Sequence, residues 1–306
     1  MEKLLFIFNP HAGKGAIRGQ LPGVLDAFTK AGYLVTAYPT QSKADATRAA
    51  AELGDRFDRV VCCGGDGTLS ETIAGLLSLD APPALGYVPA GTTNDFSRNL
   101  KLPKDLTAAA RTAATGPVRR CDVGAFNGRT FIYVAAFGAF TDVSYDTPQE
   151  FKNAFGHLAY LLEGVTRLGS IKSYGLEITC DSGAMEGEFI YGMVSNTVSV
   201  GGFKGLPASE VELDDGLFKV VLVKRPKTLP ELQSIIKTLL QQKAVDGGAV
   251  VAFHTSRLRV VCREALPWTL DGEFGGDPQI AEIENRRQAI ELVWGTQEGE
   301  AIPGKP

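Results

Sequence analysis

Two rhythms divide the chain. From Lys3 to about residue 116, short apolar runs alternate with amphipathic stretches, the pattern of strands alternating with helices. Lys3–Phe8 reads as a strand, the region from Gly19 to Ala31-Gly32 as a helix, and Tyr33–Tyr38 as a second strand. Ser42 is expected to cap the next helix, with Asp45 three residues on in a capping-box-like arrangement. Arg59–Cys63 follows as a strand, Leu69–Leu77 as a helix, Ala84–Val88 as a strand and Leu106–Ala114 as a helix. Such alternation implies right-handed crossovers and a parallel sheet.

After Pro117 the rhythm changes to strands joined by short turns. "RTFIYVAAFGAF", "YGLEITCDSG", "EGEFIYGMVSNTVSV", "GLFKVVLVK", "VVAFHTSRLRVVCRE" and "QAIELVWG" fit that reading, with Asp181–Ala184 as a hairpin loop. Only "FKNAFGHLAYLLEGVTRL" and "TLPELQSIIKTLLQQ" read as helices. The expected fold is α/β plus β: a parallel-sheet α/β domain over residues 1–122, then a mostly antiparallel β-sandwich over 123–287. The closing stretch 288–306 is a candidate to rejoin the first domain, with a frayed tail at "GTQEGEAIPGKP".

Composition narrows the function classes. A net charge of -4 over 306 residues gives no basic field for nucleic acid. Five scattered cysteines without C-x-x-C spacing read as reduced thiols in a cytoplasmic protein. No apolar run reaches the ~18 residues of a membrane span, so a membrane role would be peripheral. His11, His157 and His254 lack metal-ligand spacing.

The candidate chemistry lies in three loops that follow predicted strands: "NPHAGKG", "GGDGT" and "PAGTTNDFSRN". In a parallel sheet all three gather at the carboxyl edge, where ligands bind. No P-loop and no G-x-G-x-x-G is present. Phosphates would instead be held by glycine N–H groups and the start of the Leu69 helix, with Asp66 placed for the accompanying Mg²⁺. Plain turns are the simpler alternative, but three such loops on one edge favour a phosphate site. Lys14, Arg18 and Arg98 are candidates to stabilise charge on the transferring group.

"NPHAGKG", "GGDGTLSE", "GTTNDFSRNL", "CDVG", "SYDTP", "LDDGLFKVVLV" and "LDGE" resemble, in order from Asn9 to Glu273, the soluble bacterial diacylglycerol kinases of the diacylglycerol kinase catalytic-domain family. NAD kinases and 6-phosphofructokinases carry strings like "GGDGT", and the later motifs turn the reading toward lipid kinases. The resemblance implies ATP bound in a cleft between an α/β and a β domain. The matching positions are Asn9, Pro10, His11, Ala12, Gly13, Thr40, Gly65, Asp66, Gly67, Thr68, Leu69, Ser70, Glu71 and Thr92. Asp66, Asp95 and Asp122 match the family's acidic network with magnesium. Glu212, Asp215 and Leu217 match its structural Mg²⁺ turn, and Asp271 with Glu273 the acidic pair that supplies the catalytic base. Asp271 is expected to be that base, with Glu273 beside it.

The implied activity is Mg-ATP-dependent phosphorylation of diacylglycerol, met at the inner membrane surface, with basic residues such as Lys152, Arg167, Lys224, Arg225 and Lys227 helping; a homodimer is also considered. Phosphorylation of a sphingoid base or similar lipid, an NAD kinase, and a nucleotide-binding regulator without turnover are the alternatives. Without the resemblance, Asp271 and Asp214-Asp215-Gly216 read as ordinary turn residues.

Overall fold

The computed structural model describes residues 1–92, 94–138, 162, 171–196, 213–241 and 248–295. The predicted helix over 151–168 (Leu162 apart), "SYDTP", Glu212, His157, Lys152, Arg167, the end of "VSNTVSV" and the tail from 296 lie outside the described residues, as does the side chain of Lys14. The chain divides into two compact units, Met1–Cys121 with Gln288–Pro306, and Asp122–Arg287.

The first unit carries β1 (Glu2–Phe8), α1 (Ala16–Lys30), β2 (Tyr33–Pro39), α2 (Asp45–Leu53), β3 (Arg59–Gly64), α3 (Asp66–Leu76), β4 (Leu85–Pro89), α4 (Asp95–Asn99) and α5 (Leu106–Thr115). β2, β1, β3 and β4 lie side by side in that order and all run parallel. The apolar runs of β1, β3 and β4 are buried without alternation, as expected when helices cover both faces of a sheet. α1 sends Ile17, Val24 and Phe28 inward, at the spacing of one helical face, against Phe6 and Phe8. α5 presents Ala109, Ala110, Ala113 and Ala114, whose small side chains join the same cluster.

Three expectations shift. α3 begins at Asp66, not at Leu69, so the glycine motif supplies the helix's cap and first turn instead of a loop before it. Ser42 is not the cap of α2: Ala44 holds that place with φ 64°, and no side chain caps the end. The apolar run from Phe131 is also not one strand. β5 (Val118–Phe126) pairs with β6 (Arg129–Phe131), and β7 (Val134–Gly138) starts after a break at Ile132-Tyr133.

The second unit is antiparallel β with a single described long helix. β8 (Tyr174–Cys180) alternates buried and exposed positions and turns at Asp181-Ser182 into the long β9 (Gly183–Ser195). β9 also pairs with β7 and with β10 (Phe218–Lys224). Then follow α6 (Leu229–Gln241), β11 (Val250–Thr255), β12 (Arg257–Cys262), β13 (Trp268–Leu270), β14 (Glu273–Gly276) and β15 (Ile280–Val293). Strands β7 to β10, β12, β13 and β15 enclose one core, in which Trp268 lies between Phe126 and Phe137 at ring separations of 5.0 and 4.9 Å. The end of β15 runs parallel to β4, Leu292 opposite Leu85.

The β8–β9 turn is tied to the start of β12 by one carboxylate. Asp181 accepts the Ser256 N–H at 2.5 Å, the Ser256 hydroxyl at 2.8 Å and the Arg257 Nε–H at 3.1 Å. The Ser256 N–H, foremost among these donors, holds the Asp181 carboxyl down at about 2. A depressed folded-state value stabilises the fold above the unfolded carboxyl value of about 4, and that contribution is lost as pH falls through about 2. Asp181→Asn should therefore melt lower than wild type at neutral pH, with the gap closing below about pH 2. Melting curves across that range check it, and a gap independent of pH would contradict it.

Candidate active site

Three loops leave neighbouring parallel strands at their carboxyl ends, and they are stitched backbone to backbone. The Asn9 N–H donates to the Cys63 carbonyl at 2.9 Å, and the Ala90 and Gly91 N–H groups both donate to the Gly64 carbonyl at 2.8 and 3.1 Å. The Thr40 N–H donates to the Phe8 carbonyl at 2.9 Å and brings in the end of β2. This closeness excludes side chains. A Cβ on Gly13, whose φ is +51°, would stand 2.0 Å from the Ala90 carbonyl oxygen, and one on Gly91 would stand 2.5 Å from the Gly65 Cα.

Asp66 is the first residue of α3, and its carboxylate reaches the next loop. It accepts the Asp95 N–H at 2.9 Å and the Phe96 N–H at 3.3 Å. Those are N–H groups of the first turn of α4, which have no partner within their own helix. Asp66 thus caps a helix 29 residues away and fixes the third loop against the second. Asn94 completes the arrangement from φ 50°, accepting the Gly91 N–H at 2.9 Å and donating to the Gly91 carbonyl at 2.7 Å.

In the first loop the Asn9 side chain accepts the His11 N–H at 2.9 Å. Arg18 donates to the Pro10 carbonyl at 2.9 Å and meets His11 Nδ1 at 2.9 Å, so it shapes the loop. Arg98 is exposed on α4. Thr40 is buried, and the residues after it are pinned by Asp45. That buried carboxylate accepts the Gln41 N–H at 2.8 Å, the Tyr38 hydroxyl at 3.1 Å and Arg48 Nη2 at 2.6 Å. The Gln41 N–H first, then Arg48 and Tyr38, hold the Asp45 carboxyl below its usual range, against burial that would raise it. Glu71 adds a clamp by accepting the Ala44 N–H at 2.8 Å. Sequence reading missed Asp45 and Asn94 as shapers of this edge; both are short polar residues a few positions beyond a predicted strand, and that was the signal they offered.

The remaining candidates lie in the second unit. Asp122 is buried and accepts the Gly216 N–H at 2.6 Å, while its own N–H donates to the Leu213 carbonyl. This holds the Asp214-Asp215-Gly216 turn beside it. Asp215 accepts the Leu217 N–H at 2.8 Å, and burial, with Asp122 and Asp214 nearby, raises its proton affinity. Among the described residues no three His, Cys, Asp or Glu side chains converge closely enough to hold a metal ion. Asp271 sits at φ 50° and accepts three backbone N–H groups, from Ile132 at 2.7 Å, Tyr133 at 3.0 Å and Val134 at 3.1 Å. Glu273 opens β14 and is exposed. The structure therefore brings together Asn9–Gly13, Thr40, Gly65–Glu71, Thr92 and Asp95 in the first unit. In the second it holds Asp122 with Asp215 and Leu217, and Asp271 with Glu273.

Residues 3–126 match the diacylglycerol kinase catalytic domain. The chain is 37% identical over 278 residues to a diacylglycerol kinase of Bacillus subtilis (strain 168), covering 90% of this chain and 91% of that one. The chain belongs to the diacylglycerol kinase catalytic-domain family. A diacylglycerol kinase of Staphylococcus saprophyticus is 35% identical over 276 residues, 90% of each chain. The crystal structure of a diacylglycerol kinase from Bacillus anthracis str. Sterne superposes with a TM-score of 0.73 at 25% identity, over 96% of this chain and 97% of that one. The α/β plus β fold expected from the sequence is the fold of this family. As a family member the chain is a kinase, and a kinase draws its phosphoryl group from ATP.

The stitched edge makes one direct prediction. Gly13→Ala forces a side chain into the Ala90 carbonyl at a positive φ, so the first and third loops must part. ATP affinity, measured by calorimetry, should fall by roughly tenfold or more for a misfit costing ~1–3 kcal/mol. Unchanged affinity would mean that the first loop takes no part in binding ATP.

Proposed function

We propose that this kinase transfers the γ-phosphoryl group of Mg-ATP to the free hydroxyl of diacylglycerol, giving phosphatidic acid, at the cytoplasmic surface of a membrane. The observation that carries the proposal is the triply stitched glycine edge, borne by a chain whose relatives are diacylglycerol kinases over nine-tenths of its length. No helix among the described residues is long and apolar enough to cross a membrane, so the lipid would be met at the surface.

Each group has a physical part. The N–H groups that open α3 face the carboxyl edge, where a helix start favours phosphate. The donors available to magnesium are hard oxygens, from Asp66 and Asp95 at this edge and from Asp215 and the Leu217 turn in the second unit, and hard oxygens suit this ion. When bound with ATP, magnesium neutralises charge developing on the transferred phosphoryl group. A carboxylate can accept several hydrogen bonds at once, so holding the loops and serving the nucleotide are compatible roles for Asp66.

The acidic pair divides its labour. Two N–H groups occupy one Asp271 oxygen and a third occupies the other, so both oxygens are engaged in holding the turn. Glu273, exposed two residues on, is therefore assigned as the base, and Asp271 as the residue that shapes the turn presenting it. This reverses the roles expected from the sequence.

The deciding experiment is a lipid-panel kinase assay in mixed micelles with Mg-ATP, with NAD as the competing acceptor. Phosphorylation of diacylglycerol and not of NAD is expected; labelled NAD without labelled lipid would overturn the acceptor. Asp66→Ala should lower turnover by several kcal/mol of transition-state stabilisation, at least a hundredfold. Near-normal turnover would exclude Asp66 from the chemistry. Glu273→Gln should cut turnover by roughly 10²–10⁴-fold with an unaltered melting curve. Asp271→Asn should instead lower the melting temperature, because an amide cannot accept three N–H groups on two oxygens. The opposite pattern would restore Asp271 as the base.

A further inference from the structure

α6 is apolar over more surface than the described residues cover. Leu232, Ile235 and Leu239 form its buried stripe. A neighbouring stripe, at the i, i+4, i+7, i+11 spacing of one helix face, runs through Leu229, Gln233, Ile236 and Leu240. Leu229 is 57% exposed and Leu240 55%, and Ile236 is half-buried. Exposed leucines three turns apart on one line are not scattered surface residues; they extend the helix's apolar face into solvent.

The surroundings of that stripe are basic, although the whole chain carries -4. Lys224 and Lys227 are exposed and Arg225 is half-buried in the segment that leads into the helix, and Lys237 is exposed on the helix itself. The helix has one acidic residue, Glu231, which accepts the Lys227 N–H at 2.7 Å and so is turned toward the helix start. Leucines bordered by lysines on one helix face make the pattern of an interfacial helix, whose apolar side enters the acyl boundary while its cations meet anionic head groups.

We propose that the Leu229–Ile236–Leu240 stripe of α6, with Lys224, Arg225, Lys227 and Lys237, is the surface by which the enzyme docks on an anionic bilayer. The inference rests on the lipid-kinase reading, since an enzyme acting on a bilayer lipid needs a surface that settles on it. It also adds what that reading lacks, the face that meets the membrane. Charge complementarity favours a bilayer over a second copy of this chain, because two such faces brought together would oppose lysine to lysine.

The test is sedimentation of the whole protein with vesicles of phosphatidylcholine alone and vesicles with added phosphatidylglycerol. Wild type should bind the anionic vesicles more tightly, and less so as salt rises. Lys224→Gln with Lys227→Gln and Lys237→Gln should lose that preference, at roughly fivefold per charge. Leu229→Ser with Leu240→Ser should weaken binding to both kinds of vesicle by roughly tenfold. Melting curves and turnover on a short-chain diacylglycerol dissolved without vesicles should stay at wild-type values in both variants. Vesicle binding unchanged in the variants overturns the docking face. A dimer of wild type that the leucine variant loses, with vesicle binding intact, assigns the face to a second copy and overturns it equally. No turnover of dissolved diacylglycerol by wild type would sink the acceptor assignment instead, while sedimentation still decides the docking face.

Discussion

The carboxyl edge of the first unit depends on one charged acceptor, the Asp66 carboxylate, which takes the N–H groups that start α4. Hydrogen bonds to a charged group are worth about 1.5–3 kcal/mol each, more than the neutral ladder bonds around them. Here they join the loop after β3 to the loop after β4. Backbone contacts with Gly64 then fix Gly91, and Gly13 fits against Ala90 only while that loop keeps its place. Three glycines and one carboxylate thereby hold a surface of backbone donors that a longer side chain at any of the close approaches would spread apart.

The same device recurs across the molecule. Asp45 gathers the Gln41 N–H, Asp122 the Gly216 N–H, Asp181 the Ser256 N–H, and Asp271 those of Ile132, Tyr133 and Val134. Irregular segments would otherwise leave donors unpaired, at about 1–3 kcal/mol for each buried group. A carboxylate accepts several N–H groups at once, which suits it to loops lacking a ladder. The mildly acidic composition thus serves structure as well as chemistry, and a count of acidic residues overstates how many act on substrate.

Much of the fold was legible because the parallel strands are continuous apolar runs and β8 alternates, two patterns with distinct physical causes. What the sequence obscured was local geometry decided by distant partners. Glycines are poor helix formers, so "GGDGT" reads as a loop, yet the covering of β3 and the bond to α4 draw Asp66 into a helix. Ser42 looks like a cap, but Asp45 turns its carboxylate toward Gln41 and α2 starts without one. Of the site, the loops and their acidic residues could be picked out from residue type and position. The partners of Asp271 could not, because the N–H groups it accepts lie 137 to 139 positions away.

The first unit is discontinuous: it is left after Cys121 and re-entered at Gln288, where β15 comes to lie along β4. During synthesis, β4 must therefore wait with one flank unpaired while the whole of the second unit is made. At ~5–20 residues per second that interval is on the order of ten seconds or more, far longer than a small domain needs to fold. An open edge on a buried, apolar strand is a template for wrong pairing. The nascent chain thus passes through a period in which the first unit has been made while one flank of β4 is still unsealed.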